Sequence, residues 1–572
     1  MKKARIKFDN LIVWISLAIL FGVFAVVSFF SIKSGATLAG IVAAGSIVVI
    51  SVLYVKNYKK YIKLLKNEKG LFTFIIFLSL IIILWLFRSI ATNRYYSDFY
   101  RGIVFLLLVA MLSLFFIITL IMCDGEKPLH RIYFPIGLIM GIVFMMMLPA
   151  YQVPDEVTHA GTAYRISNSI LGVENSNDSK LKMRYDDAVS PELTRNVTRE
   201  QREQAWNKLF KKAKDTRIIE VDFPFLNTYS IQYVVPALGI SAGRAVGLST
   251  ATILLLGRLF NLVFFVSCIT LAIKIIPFGK YILFTIGLLP ITIQQGMSFS
   301  YDVLLISCSF LYIAEVFYWM ENGISRFSWK EKMHLALLIA SFIPLMLIKQ
   351  HAYTPMALLL LLIPAANSKI DLRNVLRWIS RLIIIGTLVV VVAVIWLHYH
   401  PLEEPTNTFA LSGKQMYTVQ HILNHPVKSI SVFGNTLIYT SAFYIMSGLG
   451  SQLGWLDIPT NMLATLFFMP LLLVVMNIDS NQMNKLNTGS YKAVYLLVSL
   501  LCFGFIMFGM WIGWTEVDST TIQGVQGRYF IPFLPILLIL LSTPKIKIDT
   551  SLAMIVPSVV VLLDVITITS LM

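Results

Sequence analysis

Residues 132–165 read IYFPIGLIMGIVFMMMLPAYQVPDEVTHAGTAYR, an uncharged apolar run to Ala150 followed by a proline, two adjacent carboxylates and a histidine. The apolar run approaches the roughly 20 residues that cross a hydrocarbon core, so Tyr151 begins where a membrane helix leaves the bilayer. Pro154 suits the first helical position. Asp155 and Glu156 then fall in the first turn, where the helix dipole favours acids. Continued as a helix, the segment puts Asp155, His159 and Thr162 on one face. The residues alone leave two readings open, an acidic helix start and the chemistry of a membrane enzyme.

The rest of the chain sets that segment in a polytopic membrane protein. Of its 572 residues 57% are hydrophobic and 13% charged, against about 25% charged in soluble domains. The first apolar run, 11–32, is too long and is followed by too many others to be a cleaved signal peptide. The net charge of +17 sits in short loops between apolar runs, a topology signal and not a nucleic-acid surface. Cys123, Cys268, Cys308 and Cys502 lie in or beside different spans, without the spacing of a disulfide framework or a zinc site.

The basic segment MKKARIK keeps the N-terminus in the cytoplasm. Spans near 11–32, 35–55, 71–87, 102–122 and 132–150 then bring Tyr151 out on the external face, ahead of a long polar loop to about residue 225. Further spans are expected near 250–274, 281–296, 302–320, 334–349, 353–366, 382–399, 461–477, 493–513, 529–542 and 551–570. Every internal loop that can be scored carries positive charge. The stretches 228–247 and 429–446 read as interfacial helices or extra spans, with interfacial preferred. The expected fold is therefore all-α, with about 13–15 transmembrane helices. It divides into an accessory four-helix region over 1–131 and a core over 132–572. Within the external loop, 195–214 reads either as an amphipathic helix with Trp206 and Leu209 facing the membrane or the core, or as a solvated charged helix.

Ionisable groups at the edges of membrane spans are costly and are functional candidates by default. On this topology Asp155, Glu156, His159, Arg165, Arg258, Asp302, Lys349, Trp455, Asp457, Gln526 and Arg528 all gather toward the external leaflet. Each has a structural reading: Lys349 and Arg528 as snorkelling cations, Asp302 as a helix-start acid, Trp455 as part of an aromatic belt. A shared site accounts for acids and cations converging from separated segments on the side the charge rule disfavours. Asp155 and Glu156 leave a divalent cation (Mg or Mn) open as an option, and the sequence specifies no cofactor.

PDEVTHAGTAYRIS, GRLFNL, SFSYD, GSQLGWLDIP and GVQGRYFIPFLP together resemble segments of a bacterial integral-membrane family labelled as a domain of unknown function. That family is similar to the GT-C glycosyltransferases, multi-span enzymes that use polyprenyl-phosphate sugars. The resemblance covers roughly 132–545. It implies a GT-C-like core in the plasma membrane, with Asp155 and Glu156 as the acidic motif of the first external core loop. It also brings in Lys349 and Tyr353, although the family's lysine and tyrosine stand closer together.

The expected function is inverting sugar transfer from a polyprenyl-phosphate donor to a cell-envelope glycan or lipid on the external face. Asp155 is the expected base, with Glu156 as its partner. Arg258, Lys349 and Arg528 are the expected phosphate ligands, and His159 and Asp302 would orient sugar or acceptor. No glycine-rich phosphate loop suggests a nucleotide donor. The competing readings are a flippase or exporter and a polymerase of lipid-linked glycans. Charges confined to one leaflet, without an internal repeat, favour an enzyme.

Overall fold

The computed structural model describes residues 129–571 apart from 176–179, 190–207, 227–230, 324–327, 368–369, 406–412, 479–488, 544, 547 and 549. The expected accessory region, up to residue 128 and including Cys123, lies outside the described residues. So does the helix expected over 195–214 up to residue 207, and Lys208–Lys214 is not helical.

The described chain is mostly helical. Helix α1 (Leu129–Met147) leads into α2 (Glu156–Ile170). Strands β1 (Leu181–Arg184) and β2 (Ile218–Val221) pair antiparallel, a small sheet that the hydropathy pattern did not announce. Then come α3 (Val234–Ala245), α4 (Thr250–Ile275), α5 (Lys280–Gly287), α6 (Pro290–Gly296), α7 (Asp302–Asn322), α8 (Trp329–Leu347) and α9 (Leu372–Tyr399). The remainder is α10 (Val419–Asn424), α11 (Pro426–Leu449), the β3–β4 hairpin (Gln452–Leu453, Ile458–Pro459), α12 (Met462–Ile478), α13 (Gly489–Trp514), α14 (Leu534–Leu541) and α15 (Thr550–Ser570).

Among the described residues five helices, α1, α4, α7, α9 and α13, are long and apolar enough to cross a membrane. Four further apolar stretches, Thr354–Ala366, Met462–Ile478, Gly527–Leu541 and Ile555–Ile568, are shorter. Three expected spans differ from the simple pattern. The 281–296 span is two short helices, because Pro290 at the start of α6 has no N–H to give and its ring crowds the carbonyl four residues back. The 353–366 span is mainly a 3-10 helix, Thr354–Leu361. The 529–542 span begins as another, Gly527–Phe533. Irregular backbone at such depth persists only where protein or a polar cavity satisfies its N–H and C=O groups.

In the stretch 228–247 the described helix α3 has 12 residues, short of the roughly 20 that cross a bilayer. It packs on α2 and α4. Gly239 lies so close to α4 that a Cβ there would stand 2.4 Å from the Leu256 carbonyl, the small-residue contact that lets two backbones approach. Helix α11 covers 429–446 but is not among the five apolar spans.

Local signals explain where helices start. Ser328 and Glu331 form a reciprocal capping box for α8, with Ser328 Oγ accepting from the Glu331 N–H and Glu331 accepting from the Ser328 N–H. The Asp371 carboxylate accepts from the Arg373 N–H at the start of α9. Leu388, Val389, Val392 and Trp396 on α9 are exposed, as expected of a helix whose surroundings are apolar on all sides. The main core gathers α1, α4–α8 and α12–α15. Cys308 and Cys502 are buried and Cys268 half-buried, all as free thiols.

Candidate functional site

Helix α2 opens at Glu156, so Pro154 lies ahead of it and Asp155 is the N-cap residue. Asp155 takes a left-handed conformation, φ 61°, and its side chain makes no capping bond. Aspartate tolerates that region better than most residues. The result separates the two carboxylates: Asp155 is exposed and Glu156 fully buried.

Glu156 is held by five donors. Arg258 gives Nε to Oε1 at 2.9 Å and Nη2 to Oε2 at 3.3 Å. The Phe299 N–H reaches Oε1 at 3.1 Å, and the Tyr151 and Val153 N–H groups reach Oε2 at 2.8 and 3.3 Å. Arg258 also donates Nη1 to the Leu148 carbonyl at 2.6 Å. This pair therefore ties the end of α1, the start of α2, α4 and the turn before α7 together. Arg258, expected to face a phosphate, is instead spent on Glu156. With both Glu156 oxygens occupied, Asp155 is, among the described residues, the single open carboxylate at this turn, and one such ligand does not fit a divalent cation.

Beside it stands a second buried cluster. Asp302, 3% exposed at the start of α7, has Oδ1 2.9 Å from Lys349 Nζ and Oδ2 3.8 Å from Arg528 Nη1. Lys349 Nζ lies 3.7 Å from the centre of the Tyr529 ring and 5.5 Å from that of Tyr301, close enough for cation–π attraction. Arg528 donates Nη1 to Gln295 Oε1 at 3.0 Å. The broken segments α6 and Gly527–Phe533 carry Gln295 and Arg528, and Lys349 follows α8 in a 3-10 turn with φ 51°. Two 3-10 segments thus meet at one carboxylate, and α6 joins them through the Gln295–Arg528 bond.

His159 caps the cluster. It shares a 2.7 Å hydrogen bond with the Tyr233 hydroxyl through Nδ1 and packs edge-on to Tyr301. Burial pushes its imidazole down to about 4; Asp302 opposes this, and Arg528 and Lys349 reinforce it. It is neutral at pH 7. Burial likewise raises the Tyr233 hydroxyl, with Asp302 and Asp155 adding to the effect.

The other expected residues divide. Tyr353 is fully buried and donates to the Tyr529 carbonyl at 2.8 Å, holding the backbone of the residue whose ring covers Lys349. Gln526 is the residue before Gly527–Phe533, and its Oε1 is buried without a partner. Trp455 donates Nε1 to the Tyr151 carbonyl at 3.1 Å, joining the β3–β4 turn to the start of the acidic segment. Asp457 accepts from the Trp455 N–H within that turn. Gln294 holds the turn in place, exchanging two hydrogen bonds with the Gly454 backbone. Arg165 lies over the Phe225 ring, and Thr162 is buried under the Leu226 N–H, so neither joins the cluster.

Tyr233, Tyr301, Tyr529, Gln294 and Gln295 were not foreseen. Adjacent amides inside the apolar stretch 281–296 were a usable signal, since buried polar groups in a span demand partners. Tyr233 carried none. Positive φ at Tyr151, Asp155, Lys349 and Leu456 concentrates backbone strain around this region, as functional sites often do.

No curated protein and no solved structure matches the chain. Residues 138–537 match the family described as Predicted membrane protein (DUF2142). That match covers well over half of the sequence, and the chain belongs to this family of membrane proteins.

Proposed function

We propose that the protein is a GT-C-type glycosyltransferase of the bacterial plasma membrane. It would move a sugar from a polyprenyl-phosphate donor to a cell-envelope glycan or lipid on the external face. The observation that carries this reading is the cluster of Asp302, Lys349 and Arg528, in which one carboxylate serves two buried cations. The surplus positive charge suits an anion, and guanidinium and ammonium groups match a phosphodiester. Arg528 Nε and Gln295 Nε2 are buried without partners, so donors remain for an incoming oxygen.

Asp155 supplies the complementary group. Its exposed carboxylate takes the proton of the acceptor hydroxyl as that oxygen bonds to the anomeric carbon. The bond from that carbon to the phosphate oxygen breaks in the same step, inverting the centre. The negative charge that builds on the departing lipid phosphate falls to Lys349 and Arg528. His159, being neutral, orients hydroxyl groups and adds no charge. Glu156 and Arg258 hold the Asp155 turn in place, and no step is assigned to a metal.

Reconstitution with a panel of labelled undecaprenyl-phosphate sugars tests the proposal. Wild type should release free lipid phosphate and Asp155→Asn should not. Binding of donors with no turnover of any would overturn transfer and favour a transporter of lipid-linked glycans.

A further inference from the structure

A second group of ligating side chains lies outside this cluster. Glu404 stands in the segment after α9, His421 on α10 and His425 at the junction of α10 and α11. The histidines are spaced i, i+4, which places two imidazoles on one side of a helical turn. Thr418 Oγ1 accepts the His421 N–H at 3.1 Å and sets the start of α10. Pro426 opens α11 and fixes the bend at His425.

The three side chains converge. His421 Nδ1 is 2.9 Å from Glu404 Oε2 and His425 Nε2 is 3.7 Å from Oε1. The two rings are 4.4 Å apart, and one ligand atom from each of the three residues lies within 4.8 Å of the others. Asn424 pins the Glu404 segment from the other side, donating to Glu404 Oε1 at 3.2 Å and to the Leu402 carbonyl at 2.8 Å. A simple His421–Glu404 ion pair explains the first contact. It leaves His425 aimed at the second oxygen from beyond hydrogen-bond range. His421 Nε2 is buried without a partner, so no protein donor claims that nitrogen and it is free to carry the ring proton while Nδ1 binds a cation.

We propose that Glu404, His421 and His425 form a binding site for a zinc-class divalent cation. Two imidazoles and one carboxylate are a zinc donor set, whereas Mg and Ca select oxygen ligands. The cation would lie among His421 Nδ1, His425 Nε2 and the carboxylate, tying the end of α9 to the α10–α11 elbow. The His425 side chain is half exposed and borders a cavity of about 610 Å³ that Lys428, Asp518 and Thr520 also line. A fourth position is therefore open to water or to a ligand from that cavity.

The test uses the full chain in detergent with an affinity tag that contains no histidine. After chelator treatment and dialysis against zinc, mass spectrometry should find one zinc per wild-type chain, with no comparable uptake of magnesium. Glu404→Gln and His425→Gln should each weaken zinc binding by more than about tenfold, while eluting as monodisperse protein. Cobalt(II) added to stripped wild type should give a visible absorption band that zinc abolishes, a readout independent of any variant. No zinc retained by wild type, no cobalt band, or equal zinc in wild type and a folded His421→Ala/His425→Ala variant would overturn the proposal.

Discussion

Glu156 and Arg258, 102 residues apart in sequence, form a two-point ion pair sealed from solvent, with Arg258 2% exposed and Glu156 not at all. Their neighbours in sequence do different work: Asp155, one residue earlier, is exposed. The pair separates residues needed for the fold from residues available for chemistry.

Glu156→Gln should therefore act on stability. It leaves the Arg258 charge buried without its counter-ion, a loss of about 3–5 kcal/mol. Removing both charges together, as Glu156→Gln/Arg258→Met, should cost less than the sum of the two single changes, because neither variant residue leaves a buried charge unpaired. Thermal unfolding in detergent, arranged as a double-mutant cycle, measures this coupling. Additive effects would refute it.

Asp155→Asn should do the opposite. Asparagine accepts the left-handed conformation that Asp155 holds, and the side chain makes no capping bond. Stability should stay within about 0.5 kcal/mol, while transfer falls about 100- to 10,000-fold through loss of the base. Full activity in a folded variant would remove Asp155 from the mechanism.

Arg528 offers a third measurement. Arg528→Ala should lower kcat about 100- to 1,000-fold by removing a donor to the leaving phosphate. Arg528→Lys should restore only part of this, because a single ammonium cannot both contact Gln295 at 3.0 Å and keep a planar fork for an oxyanion. Equal activity of Arg528→Lys and wild type would argue against phosphate recognition by the guanidinium.

His159 makes stability depend on pH in a stated direction. The unfolded chain takes up its proton near 6.5 and the folded chain only near 4. The contribution of His159 is therefore complete above about pH 6.5 and is lost as pH falls toward 4, by an amount on the order of 2–3 kcal/mol. His159→Gln should flatten the melting temperature between pH 7 and 4.5. An unchanged slope would show that another group sets it.

Gly527→Ala should damage folding through packing alone. A Cβ at Gly527 would stand 2.1 Å from the Tyr444 carbonyl and 2.2 Å from the Gly448 nitrogen, both backbone atoms. The displacement should cost about 1–3 kcal/mol or more, read as a lowered melting temperature. Because Arg528 follows directly, donor binding should weaken too.

The membrane character, the helical fold and the polar segments were legible in the sequence, because hydropathy and span length act locally. Asp302, Lys349 and Arg528 were recognisable as costly ions at span ends, and they do come together. The roles of Glu156 and Arg258 were not legible. Which of two adjacent carboxylates turns inward depends on the left-handed turn at Asp155 and on donors from Tyr151, Val153 and Phe299. The 3-10 segments were likewise hidden, since apolar composition fixes burial and not the hydrogen-bond pattern.

The sequence by itself determined that this is a helical membrane protein with acids and cations at the ends of its spans. The tertiary structure alone decided which charges neutralise one another and which stay open, because pairing buried ions depends on distances of a few ångströms between segments far apart in the chain.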